Sequence, residues 1–221
     1  MVRAMSLARA RPASVPKRPR GRPRKTQDER DDGNRRQALL AKAAQLFRRK
    51  GFAATTTRDI AAAAGMQSGS PFYHFKTKSA LLFAIMEEGM GSALAQQRAL
   101  QAEAGFAVLP PVEQLRRLIR VHFAVLLGPG SDFVPVMLYE QRSLNPRQRK
   151  ALASLVSEYE ALWLPVLQAL HQCGLLRAPV GLAKLLMLGA LNWSVQWFDA
   201  RKEASVEQLT DAAVAMFIQE T

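Results

Sequence analysis

The sequence predicts an all-α protein: an N-terminal three-helix unit with helix-turn-helix spacing, followed by a larger helical body. Three observations carry that expectation. Apolar residues recur at three- and four-residue intervals along most of the chain, and no stretch alternates as a half-buried strand does. The breaks between apolar stripes carry Gly, Pro or N-cap signals. Of the 221 residues, 48% are apolar, which is enough to bury a core of one large domain or two small ones.

Residues 1–32 read as a disordered basic arm, because Pro12, Pro16, Pro19 and Pro23 prevent helix and apolar content is low. Acidic residues at 28, 29, 31 and 32 precede a helix start near Gly33–Asn34, where negative charge suits the dipole. Residues 33–78 form the helix-turn-helix unit. Its first helix runs from about Arg35 to Lys50, with Leu39, Ala43, Leu46 and Phe47 in one stripe, and Gly51 ends it as a left-handed cap over which Phe52 folds back. Thr56 and Asp59 have capping-box spacing for a second helix that Gly65 stops. A third follows from about Ser68 to Phe75, so 56–75 is two short helices joined by a Gly turn. Residues 79–221 form the body. Its first helix starts near Thr77, and later ones fall at about 112–127, 132–143, 146–173, 179–200 and 206–219. Pro135 and Pro165 imply kinks or shorter segments, and Ser205 with Gln208 repeats the capping box.

Charge is placed unevenly. Residues 1–86 hold 19 Lys+Arg against 5 Asp+Glu, whereas 87–221 hold 12 against 13. A cationic front and a near-neutral body suit a polyanion at one end only. No apolar run reaches the roughly 18 residues of a membrane span, and the Pro-rich arm builds no apolar face for a lipid surface, so no membrane partner is expected. A transit peptide is a minor rival for the arm. The single cysteine, Cys173, excludes an internal disulfide and suits a reducing, cytoplasmic compartment. His74, His122 and His171 lie far apart in sequence, and no Gly-rich phosphate loop is present, so no metal and no cofactor is expected.

The stretch RRQALLAKAAQLFRRKGFAATTTRDIAAAAGMQSGSPFYHFKTKSALL, Arg35 to Leu82, resembles the DNA-binding domain of TetR/AcrR-family transcriptional regulators. The likeness rests on LFRRKGF, TTTRDIA, AAAGM and FYHF-KTKSAL in that order. The resemblance implies duplex DNA as partner, a homodimer and control by a small-molecule effector.

The physics of such a site assigns the reading edge to the early residues of the third helix, Gln67, Ser68, Gly69 and Ser70. Gln67 can pair bidentately with adenine, the serines donate or accept, and Gly69 allows close approach. Thr57 and Arg58 at the second helix's start, with Tyr73, His74 and Lys78, suit phosphates. Tyr73 reads equally as a core aromatic, and Phe75 reads as core. The chain departs from its relatives in carrying Gln67 where a Ser or Thr cap is usual and Phe72 where a phosphate-binding tyrosine often stands. In the arm, KRPRGRPRK resembles an AT-hook, with Arg20 and Arg22 reaching into a narrow A·T minor groove; a generic basic tail is the alternative.

The body offers Met137, Trp163, Trp193 and Trp197 as effector-lining candidates, although ordinary core would use the same residue types. LGALNWSVQWF at Leu188–Phe198 looks like a branch whose members often respond to acyl-CoA thioesters or related lipid-derived compounds. The last two helices, with Leu185, Leu186, Gly189, Trp193 and Trp197 in one stripe, are the expected dimer face. The leading expectation is therefore a non-enzymatic repressor that reads a palindromic operator and is released by an effector. An architectural protein coating A·T-rich DNA is the first alternative and an all-helical enzyme the second.

Overall fold

In the computed structural model, residues 27–66, 71–128, 130–199, 202 and 204–219 are described, with side chains from Gly33 onward apart from those of residues 71 and 72. These residues form ten α-helices and three short 3-10 turns, with no strand among them. Helices α1 (Gln27–Lys50), α2 (Thr57–Ala63) and α3 (Pro71–His74) make the head. Helix α4 (Lys78–Gln101) runs from the head into the body. The body is α5 (Pro111–Leu127), α6 (Phe133–Glu140), α7 (Pro146–Ala161), α8 (Leu164–Gln172), α9 (Val180–Trp193) and α10 (Val206–Phe217).

Local chemistry explains the head. Gly51 takes φ +79° and donates to Phe47 O at 2.9 Å, closing α1 with the left-handed cap its sequence predicts. Phe52 then folds back on Phe47, ring centroids 5.3 Å apart. The buried Thr55 hydroxyl donates to Gly51 O at 2.7 Å and fixes the turn. Thr56 and Asp59 form the reciprocal capping box of α2. The bonds that Asp59 accepts from the Thr56 backbone and hydroxyl lower its carboxyl pKa. Gly65, at φ +66°, ends α2 in a Schellman motif, with Met66 N–H donating to Ala61 O at 2.8 Å.

Several boundaries differ from the sequence reading; the helices expected over 132–143 and 179–200 end early, at Glu140 and Trp193, each in a 3-10 turn. Helix α1 begins at Gln27, inside the segment read as arm. The four acidic residues from 28 to 32 therefore occupy its first turns rather than preceding it, and that end of a helix favours negative charge. The single helix expected over 146–173 is two, α7 and α8. Pro165 stands second in α8, where its missing N–H costs nothing, and the chain turns at Leu162–Trp163 to place it there.

One core cluster runs from Leu39 in α1 to Ile218 after α10. In the head, Leu39, Ala43, Phe47 and Ile60 are fully or almost fully buried against Leu82 and Met86 of α4. Helix α4 then packs on α5, α6 and α7, so head and body share one long element.

Candidate DNA-reading head and effector cavity

The outer side of the head presents the phosphate-contact candidates. Arg58 is exposed and Thr57 half-buried in the first turn of α2. Tyr73 is 82% exposed, which places it outside the core. His74 stands edge-on to it at 5.2 Å and is half-buried. Phe75 turns inward, half-buried, under the Arg36 guanidinium at 5.2 Å. The base-reading candidates Gln67, Ser68, Gly69 and Ser70, and the arm residues Arg20 and Arg22, lie outside the described residues.

Lys78, the remaining phosphate-contact candidate, lies against the turn between α1 and α2. Its ammonium donates to Phe52 O at 2.7 Å, Thr55 O at 2.8 Å and Ala53 O at 3.4 Å, and sits 4.3 Å from the centre of the Phe52 ring. These bonds tie Lys78 to the carbonyls of the α1–α2 turn and brace the head. Lys78→Met is expected to lower stability by about 2 kcal/mol in urea unfolding. It is expected to leave the salt slope of DNA binding unchanged, whereas a phosphate contact would reduce that slope by about one.

In the body, α4, α5, α6, α7 and α9 line a cavity of ≈ 70 Å³. Met90, Val125, Phe133, Met137 and Leu188 give it apolar walls, and His122, Tyr159, Glu160 and Asn192 supply the polar groups. Of the four residues expected to line it, only Met137 does. Trp163 is fully buried one layer behind, edge-on to His122 at 5.5 Å. Trp193 and Trp197 are about three-fifths exposed on the outer surface. The reason is that α9 is apolar on both its inner and its outer side. Ala183, Met187, Leu188 and Leu191 face the core, while Leu182, Leu185, Leu186 and Trp193 face outward, and periodicity alone does not say which stripe meets which neighbour.

On the polar side of the cavity, Asn192 is a residue whose sequence position already asked for a partner, whereas sequence reasoning missed His122, Tyr159 and Glu160. His122, 5% exposed, places Nδ1 at 2.7 Å from the Tyr159 hydroxyl. Gln97 Nε2 donates to the same hydroxyl at 3.1 Å and to Leu118 O at 3.0 Å. Burial pushes the His122 pKa down to about 4 and the Tyr159 pKa up to about 12. Glu160 is paired with Lys184 at 2.6 Å. The available signal was His122 itself, which falls in register with Leu115, Leu118, Ile119 and Leu126 on the buried stripe of α5.

A family model described as bacterial regulatory proteins, tetR family, matches residues 39–85, and one described as tetracyclin repressor-like, C-terminal domain, matches residues 108–220. The chain belongs to the TetR family. An HTH-type transcriptional repressor, KstR2 of Rhodococcus jostii, is 31% identical over 147 residues, 66% of this chain and 70% of that protein. Among the curated relatives the aligned stretch spans from 36% to 92% of the relative's own length. The crystal structure of superantigen PfiT shares 37% identity at a TM-score of 0.68, covering 85% of this chain and 97% of its own. AibR in complex with isovaleryl coenzyme A and operator DNA shares 29% at 0.73, covering 83% and 97%. No helix among the described residues is long and apolar enough to cross a membrane.

In this TetR-family chain the cavity and the head meet at α6. Phe133, Val134 and Met137 face the cavity. At the two ends of the same element, Asp132 pairs with Arg48 of α1 at 2.9 Å, and Glu140 accepts the Phe52 N–H at 2.9 Å. Gly89 of α4 lies directly beneath the Phe133 ring, where a Cβ would come within 2.1 Å of it.

Proposed function

We propose that this chain is a homodimeric, operator-binding repressor released by a small-molecule effector held in the body cavity. The observation that carries the reading is α6, which forms one wall of the cavity while Asp132 and Glu140 bond its ends to the head. A cavity of ≈ 70 Å³ is small beside the roughly 300–1,000 Å³ of ligand sites. An effector of ordinary size therefore enters only as the walls part. Moving α6 moves its bonds to α1 and the Phe52 turn, and the effector shifts the population toward a head position that no longer fits the operator.

In the bound state α3 lies in the major groove, with Gln67, Ser68, Gly69 and Ser70 at base edges and Arg58, Thr57, Tyr73 and His74 toward phosphates. The exposed α9–α10 stripe of Leu182, Leu185, Leu186, Trp193 and Met216 pairs with a second copy, and Gly189, with no atom within 4 Å of an added Cβ, leaves room for close helix approach. Two heads on a twofold axis read a palindrome. The relatives named for repression and the neighbour crystallised with an acyl-CoA and operator support the class of function and make an acyl-CoA or lipid-derived compound the first effector to try. The reading is of a cytoplasmic, non-enzymatic regulator.

Gel shift on the chain's own upstream region, with and without acyl-CoA, tests this. Tight binding to one palindrome, relieved by the added compound, is the expected result. Equal binding to any A·T-rich fragment favours the architectural reading, and no binding to duplex DNA at low salt overturns both. Deleting residues 1–27, which carry nine basic residues and no acidic one, is expected to weaken operator binding and flatten its salt dependence. Unchanged affinity at every salt concentration would remove Arg20 and Arg22 from the mechanism.

A further inference from the structure

Four buried side-chain polar atoms among the described residues complete no hydrogen bond of ordinary length and angle: Gln97 Oε1, His122 Nε2, Trp163 Nε1 and Ser194 Oγ. Of these residues only His122 lines the cavity. We infer that His122 presents Nε2–H to the cavity as the donor that selects the effector, whose part inside the cavity is neutral and largely apolar and carries a hydrogen-bond acceptor such as a ketone, ester or thioester carbonyl. This rests on the cavity being the effector site proposed above.

The proton's position follows from the hydrogen-bond chain. Leu118 O accepts from Gln97 Nε2, so the amide's NH₂ end faces that way, and its second hydrogen goes to the Tyr159 oxygen. The Trp163 indole also approaches that oxygen and helps hold down the Tyr159 pKa. With donors arriving from two sides, the Tyr159 O–H is left to donate, and its partner at 2.7 Å is His122 Nδ1. Nδ1 is therefore the acceptor and Nε2 carries the hydrogen. A buried donor left unpaired costs about 1–3 kcal/mol, so a molecule supplying an acceptor gains what one lacking it forfeits.

The surroundings fix the charge of the ligand. Burial keeps the imidazole neutral near pH 7, with its pKa pushed down to about 4. The carboxylate on the wall, Glu160, is already paired with Lys184, and the Tyr159 phenol stays protonated. An anion in the cavity meets no cation aimed at it. Asn192, half-buried on the same wall, turns its amide oxygen toward the imidazole and raises its pKa slightly against burial, without completing a hydrogen bond on Nε2, so a ligand acceptor takes the place that this contact leaves unfilled.

Two measurements on the full chain decide it. Imidazole ¹⁵N NMR reads the tautomer directly, with His122 assigned by its loss in His122→Gln. The Nε2–H form is expected in the wild type and a mixture of forms in Tyr159→Phe; an Nδ1–H form in the wild type overturns the inference. Acetophenone, ethylbenzene and benzoate then serve as matched probes of acceptor, apolar body and anion. Acetophenone is expected to bind at least about tenfold more tightly than the other two and to move the Nε2 resonance, and His122→Leu is expected to erase its advantage over ethylbenzene. Equal binding of acetophenone and ethylbenzene to the wild type overturns the inference. Operator binding on the same samples separates this from the wider reading. A protein that ignores the palindrome yet still favours acetophenone keeps the donor and loses the repressor. One that binds the palindrome with His122 as Nδ1–H keeps the repressor and loses the donor.

Discussion

Leu186→Glu is expected to turn the dimer into monomers and to weaken operator binding at least about a hundredfold. Leu186 is 67% exposed on α9, between Leu182, Leu185 and Trp193 on one outward stripe. In a twofold interface the substitution enters twice, each time placing a carboxylate where apolar surface would be desolvated. The monomer keeps one reading head and loses the gain from tethering two, which ranges from about 10² to 10⁴. The side chain makes no contribution to the internal core, so helix content by circular dichroism should be unchanged. Sedimentation and gel shift check the two halves of the result together. A variant that stays dimeric places the interface elsewhere than α9.

The second large effect is acid sensitivity. The unfolded chain's His122 titrates near 6.5, and burial in the native fold lowers it to about 4. Between those values the unfolded state binds more protons than the native one. The stability contributed by burying a neutral imidazole is therefore complete above about pH 6.5 and drains away as pH falls toward 4. From pH 7 to pH 5 the loss attributable to this one group is about 2 kcal/mol. His122→Gln, which keeps an amide donor near the Nε2 position but does not titrate, should lack that share of the decline. Urea unfolding of both proteins at the two pH values measures the difference, and parallel losses would show that His122 does not stay neutral in the native state.

What the sequence made legible was local. Thr56 with Asp59, Thr77, and Ser205 with Gln208 announce helix starts because a capping side chain bonds a backbone N–H only three residues away. Gly51 and Gly65 announce stops because each adopts a positive φ. The order of those signals, with the FYHF-KTKSAL segment, was enough to place the head. The cavity was not legible in the same way. Gln97, Tyr159 and His122 sit on three helices, and their bonds span 62 and 37 residues. Each looks in its own helix like a stray polar residue on an apolar face. The places of the tryptophans were not legible for a related reason. Trp163 and Trp193 have the same chemistry, yet one is fully buried and the other is largely on the surface, because α9 has apolar residues on both its inner and outer sides. Nor was the bracing by Lys78 legible, because its bonds to the carbonyls of residues 52, 53 and 55 span more than twenty residues.

The meeting of Gly89 with the Phe133 ring has a mechanical consequence. A helix crossing cushioned by two side chains absorbs a small displacement by letting rotamers slip. Here one surface is bare backbone and the other a rigid aromatic plate, so the joint has no backlash. A displacement of α6 toward α4 meets backbone directly, midway along the element that carries the head.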